Sequence, residues 1–314
     1  MATTMTPPAD RLPQVLPTER LKVDGRPERP LRAELRRIPN VGNVVTVVLA
    51  GAQIVAIPVA AVWIDRWWAW PIAVIVMGRS FAILGILGHE AAHRLLFTNK
   101  TINDRVGRWV LSYPSFVPYD IYRRGHMAHH RDEMGPDEPD LGLYARYPIP
   151  RASFRRKLTR DALGNSGWKN LKPLLRATLK PETRKVAASI LGTQAVVFAV
   201  FWAAGWPQLY AVLWLLPWMT SWRVINRLRA IAEHGGMIRS PDKRETTHVI
   251  RQRLLARFWM VPYNTGWHLA HHVDSGIPWR NLPRLHHELE AAGHVTTAIE
   301  WRSYTALWRA LAAG

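Results

Sequence analysis

The chain has 314 residues, with 42 Lys and Arg against 23 Asp and Glu, a formal charge of +19, 16 Trp, 13 His and no Cys. The length admits one or two domains. The missing cysteines exclude a disulfide scaffold, a zinc finger, an iron–sulfur protein and a cysteine nucleophile, and 48% hydrophobic residues exclude disorder throughout.

A mean hydropathy of −0.11 hides clustering, because four segments are strongly apolar and the remainder is charged. Residues 1–40 hold seven prolines and scattered charges without an apolar run or a signal-peptide core, which predicts a disordered, basic, Pro-rich arm ahead of a membrane domain over 41–314. Val41–Ile64 and Trp67–Gly88 follow, each close to the ~20 residues that cross a bilayer as a helix. The first has no charged residue; the second has Arg79, which must snorkel or face a helical neighbour. They turn at Asp65-Arg66, with Pro58 and Pro71 near the outer ends.

The second span runs into His89-Glu90-Ala91-Ala92-His93. Trp109–Tyr119 is apolar but too short to span, which predicts a re-entrant or interfacial piece. His126-Met127-Ala128-His129-His130 comes next, then an acidic stretch through Asp140 and basic sequence to Lys185. Val186–Trp206 and Gln208–Trp222 form a second hairpin around Gly205-Trp206-Pro207, the last span reaching about residue 225. A helical pattern over Arg223–Gly235 stops at Gly235-Gly236. Val249–Val261 sets Leu254, Leu255, Phe258 and Trp259 beside Arg251, Arg253 and Arg257, an amphipathic surface helix. His268-Leu269-Ala270-His271-His272 follows it. The predicted fold is an all-α integral membrane protein: four transmembrane helices in two hairpins, with a helical cap over 89–185 and 226–314 carrying the histidines.

Forty of the 42 basic residues fall in 1–40, 89–185 and 223–314. The positive-inside rule makes that side, with both termini, cytoplasmic. Topology thus accounts for the charge, and nucleic-acid binding is not expected. The Trp-rich stretches at 63–70, 202–206 and 214–222 read mainly as interfacial anchors. An excess of 34 Arg over 8 Lys points to a GC-rich bacterial genome, and so to a plasma membrane.

On a helix, residues at i and i+4, or at i, i+3 and i+4, share one face, so each cluster can aim two or three imidazoles at one point. Solvated helix histidines are the bland alternative, and a repeated H-x-x-H-H pattern argues against it. The clusters supply eight imidazoles, and His234, at a helix end on the same membrane face, is a ninth. Nine exceed what one four-coordinate zinc can use. They suit two ions of higher coordination with positions left open for dioxygen, for which redox-active iron is the best match. Neutral ligands leave the ions' charge uncompensated, so carboxylates bonded to the outer ring N–H groups are expected. Glu90, Glu233 and Asp140 are nominated, with helix capping or solvation as their plain alternative. His248 and His294 read as solvated, His286 and His287 as structural. A rival exists: His89–His93 also spells H-E-x-x-H, the pattern of zinc proteases, but an intramembrane metalloprotease leaves both H-x-x-H-H clusters unexplained.

From about Val41 to Val295 the chain resembles the membrane fatty acid desaturase superfamily, the integral-membrane histidine-box di-iron oxygenases. The likeness rests on the two-plus-two spans, the order H-x3-H, H-x2-H-H, H-x2-H-H and the isolated His234 after Ala232-Glu233. It extends to Asn99, Asn103-Asp104 and Gly107-Arg108-Trp109 after the first box, Asp137–Leu141 after the second and Gly276–His286 after the third.

The resemblance implies that His89, His93, His126, His129, His130, His234, His268, His271 and His272 ligate two irons, with dioxygen as co-substrate and no haem or flavin in this chain. Asn264 matches the family's tyrosine-asparagine element and would be a water-mediated ligand or else a helix cap. The implied reaction is desaturation of a fatty acyl chain; a hydroxylase or ketolase on the same site is the alternative, since only substrate positioning separates them. Nothing in the chain resembles a cytochrome b5 module or a dinucleotide fingerprint, so electrons are expected from a separate ferredoxin-like protein, or a cytochrome b5-like one with its reductase. A basic face would favour an acidic donor. Where many acyl desaturases have Phe-Pro after the third box, this chain has Val273-Asp274-Ser275-Gly276, which leaves substrate class and regiochemistry unassigned.

Overall fold

A computed structural model describes residues 4–314, which are mostly helical with one two-stranded sheet among them. Helix α1 (Arg29–Leu35) carries Pro30 in its first turn, where no helical hydrogen bond is lost. Two long apolar helices follow, α2 (Asn40–Ile64) and α3 (Ala69–Ala92), separated by Asp65 in the left-handed region at φ 42°. Helix α4 (Lys100–Val106) starts at Asn99, whose side chain accepts from the N–H groups of Thr101 and Ile102, and runs into a π-helical turn over Gly107–Ser112. Then come α5 (Tyr119–Arg131), α6 (Leu141–Tyr144), α7 (Arg151–Ala162), α8 (Asn165–Ala177) and α9 (Arg184–Ala203). After a π-helical segment over Tyr210–Leu215 lie α10 (Leu216–Met219), α11 (Ser221–His234), α12 (Lys243–Thr246), β1 (Val249–Ile250), α13 (Leu254–Trp259), α14 (His268–Val273), α15 (Leu282–Ala291), β2 (Glu300–Trp301) and α16 (Tyr304–Leu311).

Among the described residues, three helices are long and apolar enough to cross a membrane: α2 with the turns before it, α3 and α9. The expected fourth span over 208–225 is not one continuous helix. Those residues are divided among the π-helical segment, α10 and the start of α11, with backbone at Thr220 leaving helical geometry (φ −117°, ψ −87°). Pro217 has no N–H to offer the carbonyl one turn back, which weakens the ladder at that place.

The chain divides into two compact units. One holds residues 39–123 and 155–226. In it α2 packs on α3, and Arg79 faces its helical neighbour: its Nη1 donates to Gln53 Oε1 at 3.0 Å, and Gln53 Nε2 donates to Ser80 Oγ at 2.6 Å. A charge that would be costly beside lipid is thus turned inward. Trp63, Trp67 and Trp202 are exposed, as interfacial anchors would be. Trp214, Trp218 and Trp222 are instead buried, so the third stretch is not an exposed belt.

The other unit holds the chain up to Ile38, 124–154 and 227–314. Its core joins Leu269 and Val273 of α14 to Leu282, Leu285 and Leu289 of α15. The amino-terminal arm does not follow its predicted disorder. Leu12, Leu21, Leu31 and Leu35 are buried in that core, each such side chain contributing roughly 1.5–3 kcal/mol. Polar clasps hold it: Arg32 pairs with Asp274 at 2.6 Å, Arg20 with Glu288 at 2.7 Å, and Asn281 donates to the carbonyl of Leu35 at 2.7 Å. Arg244, fully buried, donates to the carbonyl of Pro13 at 3.0 Å. Leu31 and Leu35 share one face of α1, but Leu12 and Leu21 lie among prolines without helical or strand period, so only their tertiary partners reveal them as core.

Two local expectations also change. The segment 249–261 is not a single amphipathic helix, because Val249–Ile250 pairs in parallel with Glu300–Trp301; only α13 keeps the pattern, with Leu254, Leu255 and Phe258 exposed. His248 and His294 are buried rather than solvated. The His248 ring donates from Nε2 to the carbonyl of Gly235 at 2.8 Å, and burial pulls its pKa down to about 4.

Candidate metal centre

Helix α5 presents His126, His129 and His130 on one face, by its own periodicity. All six residues of α14 are buried, since Leu269, Ala270 and Val273 belong to the apolar core and direct the histidines of the same short helix the other way. Helix α11 ends at His234, stopped by Gly236 at φ +73°, a conformation that suits glycine. These elements bring seven histidines of one unit together.

Their Nε2 atoms converge. His268 Nε2 lies 3.1 Å from His234 Nε2 and 3.0 Å from His272 Nε2. The Nε2 of His130 lies 3.1 Å from that of His126 and 3.1 Å from that of His271. His129, His234 and His272 offer ring nitrogens within 4.8 Å of one another. The His130 and His272 rings are 4.5 Å apart, so boxes two and three open onto one shared space.

The outward nitrogens are held from behind. His234 Nδ1 faces the carbonyl of Thr246 at 2.8 Å. A carbonyl can only accept, so Nδ1 carries the proton and the inward Nε2 presents a lone pair. His129 Nδ1 meets Glu138 Oε1 at 2.5 Å, and the other oxygen of Glu138 accepts from Met134 N. Glu133 Oε1 lies 2.7 Å from His272 Nδ1, at ion-pair distance but off the line of the ring N–H. The same carboxylate takes Lys243 Nζ at 2.7 Å and the hydroxyl of Thr246 at 2.5 Å.

Charge follows from this wiring. Burial pulls the pKa values of His234 and His272 well below the ordinary histidine value, and neighbouring histidines add to the effect. Burial acts the same way on His129, but Glu138, with Glu133 and Asp140 behind it, outweighs burial and raises its pKa. Burial keeps His234 and His272 neutral, and inward Nε2 atoms 3.0–3.1 Å apart, with the His234 lone pair among them, fit a cation between them. Two nitrogen donors each about 2.1 Å from one ion and at right angles to each other lie about 3.0 Å apart, whereas a tetrahedral ion spreads them to about 3.4 Å. The donor set and its spacing therefore suit an imidazole-rich ion of more than four-fold coordination.

The other unit carries His89 on the last turn of α3 and His93 at its C-cap, their rings 4.7 Å apart. Glu90 is buried on the same turn. Of the other carboxylates nominated from sequence, Glu233 lies 3.7 Å from His268 Nδ1 but bonds more closely to Arg229 at 2.6 Å, and burial raises its pKa. Asp140 heads α6 without a side-chain capping bond; burial raises its pKa too. The Asn264 Oδ1 accepts from Arg257 at 3.2 Å, and Trp267 rather than Asn264 is the N-cap of α14, so the capping alternative fails. Sequence reasoning missed Glu133 and Glu138. Both stood in the acidic stretch after box two, and Glu133 sits one helical turn beyond His130, the signal that could have found it.

A family model described as fatty acid desaturase matches residues 65–302. Dihydrorhizobitoxine desaturase of Bradyrhizobium elkanii is 28% identical over 257 residues, 75% of this chain and 72% of that protein. Shorter matches, covering 25% of the relative, include the acyl-lipid omega-3 desaturase (cytochrome b5) of the Arabidopsis thaliana endoplasmic reticulum, 26% identical over 33% of this chain. The sn-1 acyl-lipid omega-3 desaturase (ferredoxin) of Nostoc is 29% identical over 30% of this chain and 25% of its own length.

Proposed function

The chain belongs to the fatty acid desaturase family, and on that premise we propose that it is a di-iron lipid desaturase, introducing a double bond into a fatty acyl chain with dioxygen and electrons from a separate protein. The observation that carries the reading is the inward convergence of histidine Nε2 atoms, with the tautomer of His234 fixed by the Thr246 carbonyl. When bound, two redox-active ions would supply the oxidising power to take hydrogen from an unactivated C–H bond. His129, His234, His268 and His272 would hold one ion. His126, His130 and His271 would hold the other, with His89 and His93 added on the strength of their H-x3-H spacing and the family likeness.

Within this reading Glu138 and Glu133 orient His129 and His272 and offset the ions' charge. Glu90, Glu233 and Asp140 would add to that charge compensation, and Asn264 would be a water-mediated ligand. The interrupted stretch over 208–225 would make the fourth crossing, and the histidine-bearing cap would face the cytoplasm of a bacterium, where most of the basic residues lie. Relatives named for cytochrome b5 or ferredoxin support a separate electron donor of one of those kinds.

A second reading has its own support: a relative that matches over most of both chains is named for dihydrorhizobitoxine, and the sequence after box three departs from the acyl-desaturase pattern. The substrate would then be something other than a fatty acyl lipid. Metal analysis of the purified protein, with mass spectrometry of lipids from cells with and without it, tests both. Two irons per chain and lipids short of two hydrogens are expected. Gain of oxygen instead would make it a hydroxylase, iron with unchanged lipids would favour the second reading, and one zinc per chain would overturn the oxidase altogether.

A further inference from the structure

In the unit that contains α3 and α9, a cavity of about 330 Å³ opens between the start of α5, α8, the start of α9 and the break before α11. That is within the range of small-molecule sites. Most of its wall is apolar, including Phe116, Ile121, Leu174 and Val186. Its uncharged polar residues are spent on nearby backbone: Ser115 Oγ donates to Leu111 O, Asn170 Nδ2 to Ser166 O and Thr183 Oγ1 to Ala177 O.

Arg223 differs. Its Nε is buried and has no hydrogen-bond partner, and among the described residues its guanidinium forms no ion pair. The acid whose field reaches it, Asp161, stands beyond ion-pair distance and accepts from Ser166 Oγ. The guanidinium lies 3.9 Å over the Trp218 ring. That indole is itself locked, since its Nε1 donates to the Ser115 carbonyl at 2.8 Å and the Phe116 ring packs 4.4 Å away. Arg223 is only partly exposed; a ring face offsets the lost hydration of its cation in part, and a charge without a counter-ion in an apolar wall is costly. What remains is a planar fork of N–H donors held rigidly at the edge of an apolar space, the complement of a carboxylate or phosphate on a hydrocarbon chain.

We propose that this cavity binds an anionic amphiphile, its carboxylate or phosphate on Arg223 and its chain along the Phe116–Trp218 wall. No histidine lines this cavity, and the proposal does not depend on the oxidation proposed above. The carboxylate could come from a free fatty acid, the phosphate from a membrane lipid headgroup, and the probes separate the two.

Calorimetric titration of the full-length protein in a neutral detergent, with dodecanoate, dodecyl phosphate and dodecanol, tests it. One site per chain is expected, with the anions binding at least tenfold more tightly than the alcohol; the better anion identifies the source. Arg223→Met should weaken both anions at least tenfold and leave dodecanol unchanged, with Arg223→Lys in between. Leu174→Trp, which fills the space while keeping the cation, should abolish all three and decides the matter if Arg223→Met fails to fold. Dodecanol binding as tightly as the anions, or anion binding unaltered in Arg223→Met or Leu174→Trp, would overturn the proposal. Metal content should stay at the wild-type level throughout, so failure here leaves the metal centre untouched.

Discussion

On α5, His129 is braced by Glu138, nine residues further along, while the hydroxyl of Tyr144 stands 3.4 Å from the same Nδ1. On α14, His272 has Glu133 at 2.7 Å, a carboxylate that comes from behind the other box. The two H-x-x-H-H runs share a spacing and differ in support. The α5 box stands on a polar, half-exposed helix and is fixed by hydrogen bonds from its own following loop. The α14 box sits on a wholly buried helix and is fixed by the apolar core of α15 and the amino-terminal arm. One motif can thus be pre-organised either by a local polar brace or by packing, and the two should fail differently.

The largest effects expected are at the ligands. His129→Ala and His272→Ala should each abolish product and lower iron per chain, as metal analysis beside lipid mass spectrometry would report; a variant making alkene at the wild-type rate would sink the assignment. Glu138→Gln comes next, leaving a neutral acceptor behind His129 and weakening metal affinity about 10–100-fold with little loss of fold. Glu133→Gln should cost less, because packing still holds His272 when Lys243 is freed; a loss as large as that of Glu138→Gln would refute the contrast between the two boxes.

Packing should matter on one side only. Leu285→Ala, at a fully buried position, should destabilise the protein by about 2–5 kcal/mol in thermal or denaturant unfolding and loosen the α14 box before the α5 box. A smaller effect is expected with pH. His248 has a folded pKa of about 4 against an ordinary value of 6.5, so the unfolded chain takes up the proton first. Its contribution, about 3 kcal/mol at most, is complete above the unfolded value and lost as pH falls towards the folded one. Melting curves of wild type and His248→Gln should therefore converge between those two values on acidification.

Much of this molecule can be read along the chain. Helical spacing is a local property, so H-x3-H and H-x2-H-H show which histidines share a face, and the lengths of 41–64, 67–88 and 186–206 show helices able to cross a bilayer. The glycines after His234 mark where α11 stops. Tertiary structure decided what depends on partners distant in sequence. It chose Glu133 and Glu138 from an acidic stretch where sequence had nominated Asp140, and buried His248 and His294. It drew Leu12 and Leu21 into a core that composition could not foresee, and left Arg223 facing an apolar cavity. The reason is physical: periodicity fixes the direction of a side chain relative to its own helix, whereas burial, protonation and charge pairing are set by whatever other part of the chain arrives opposite it.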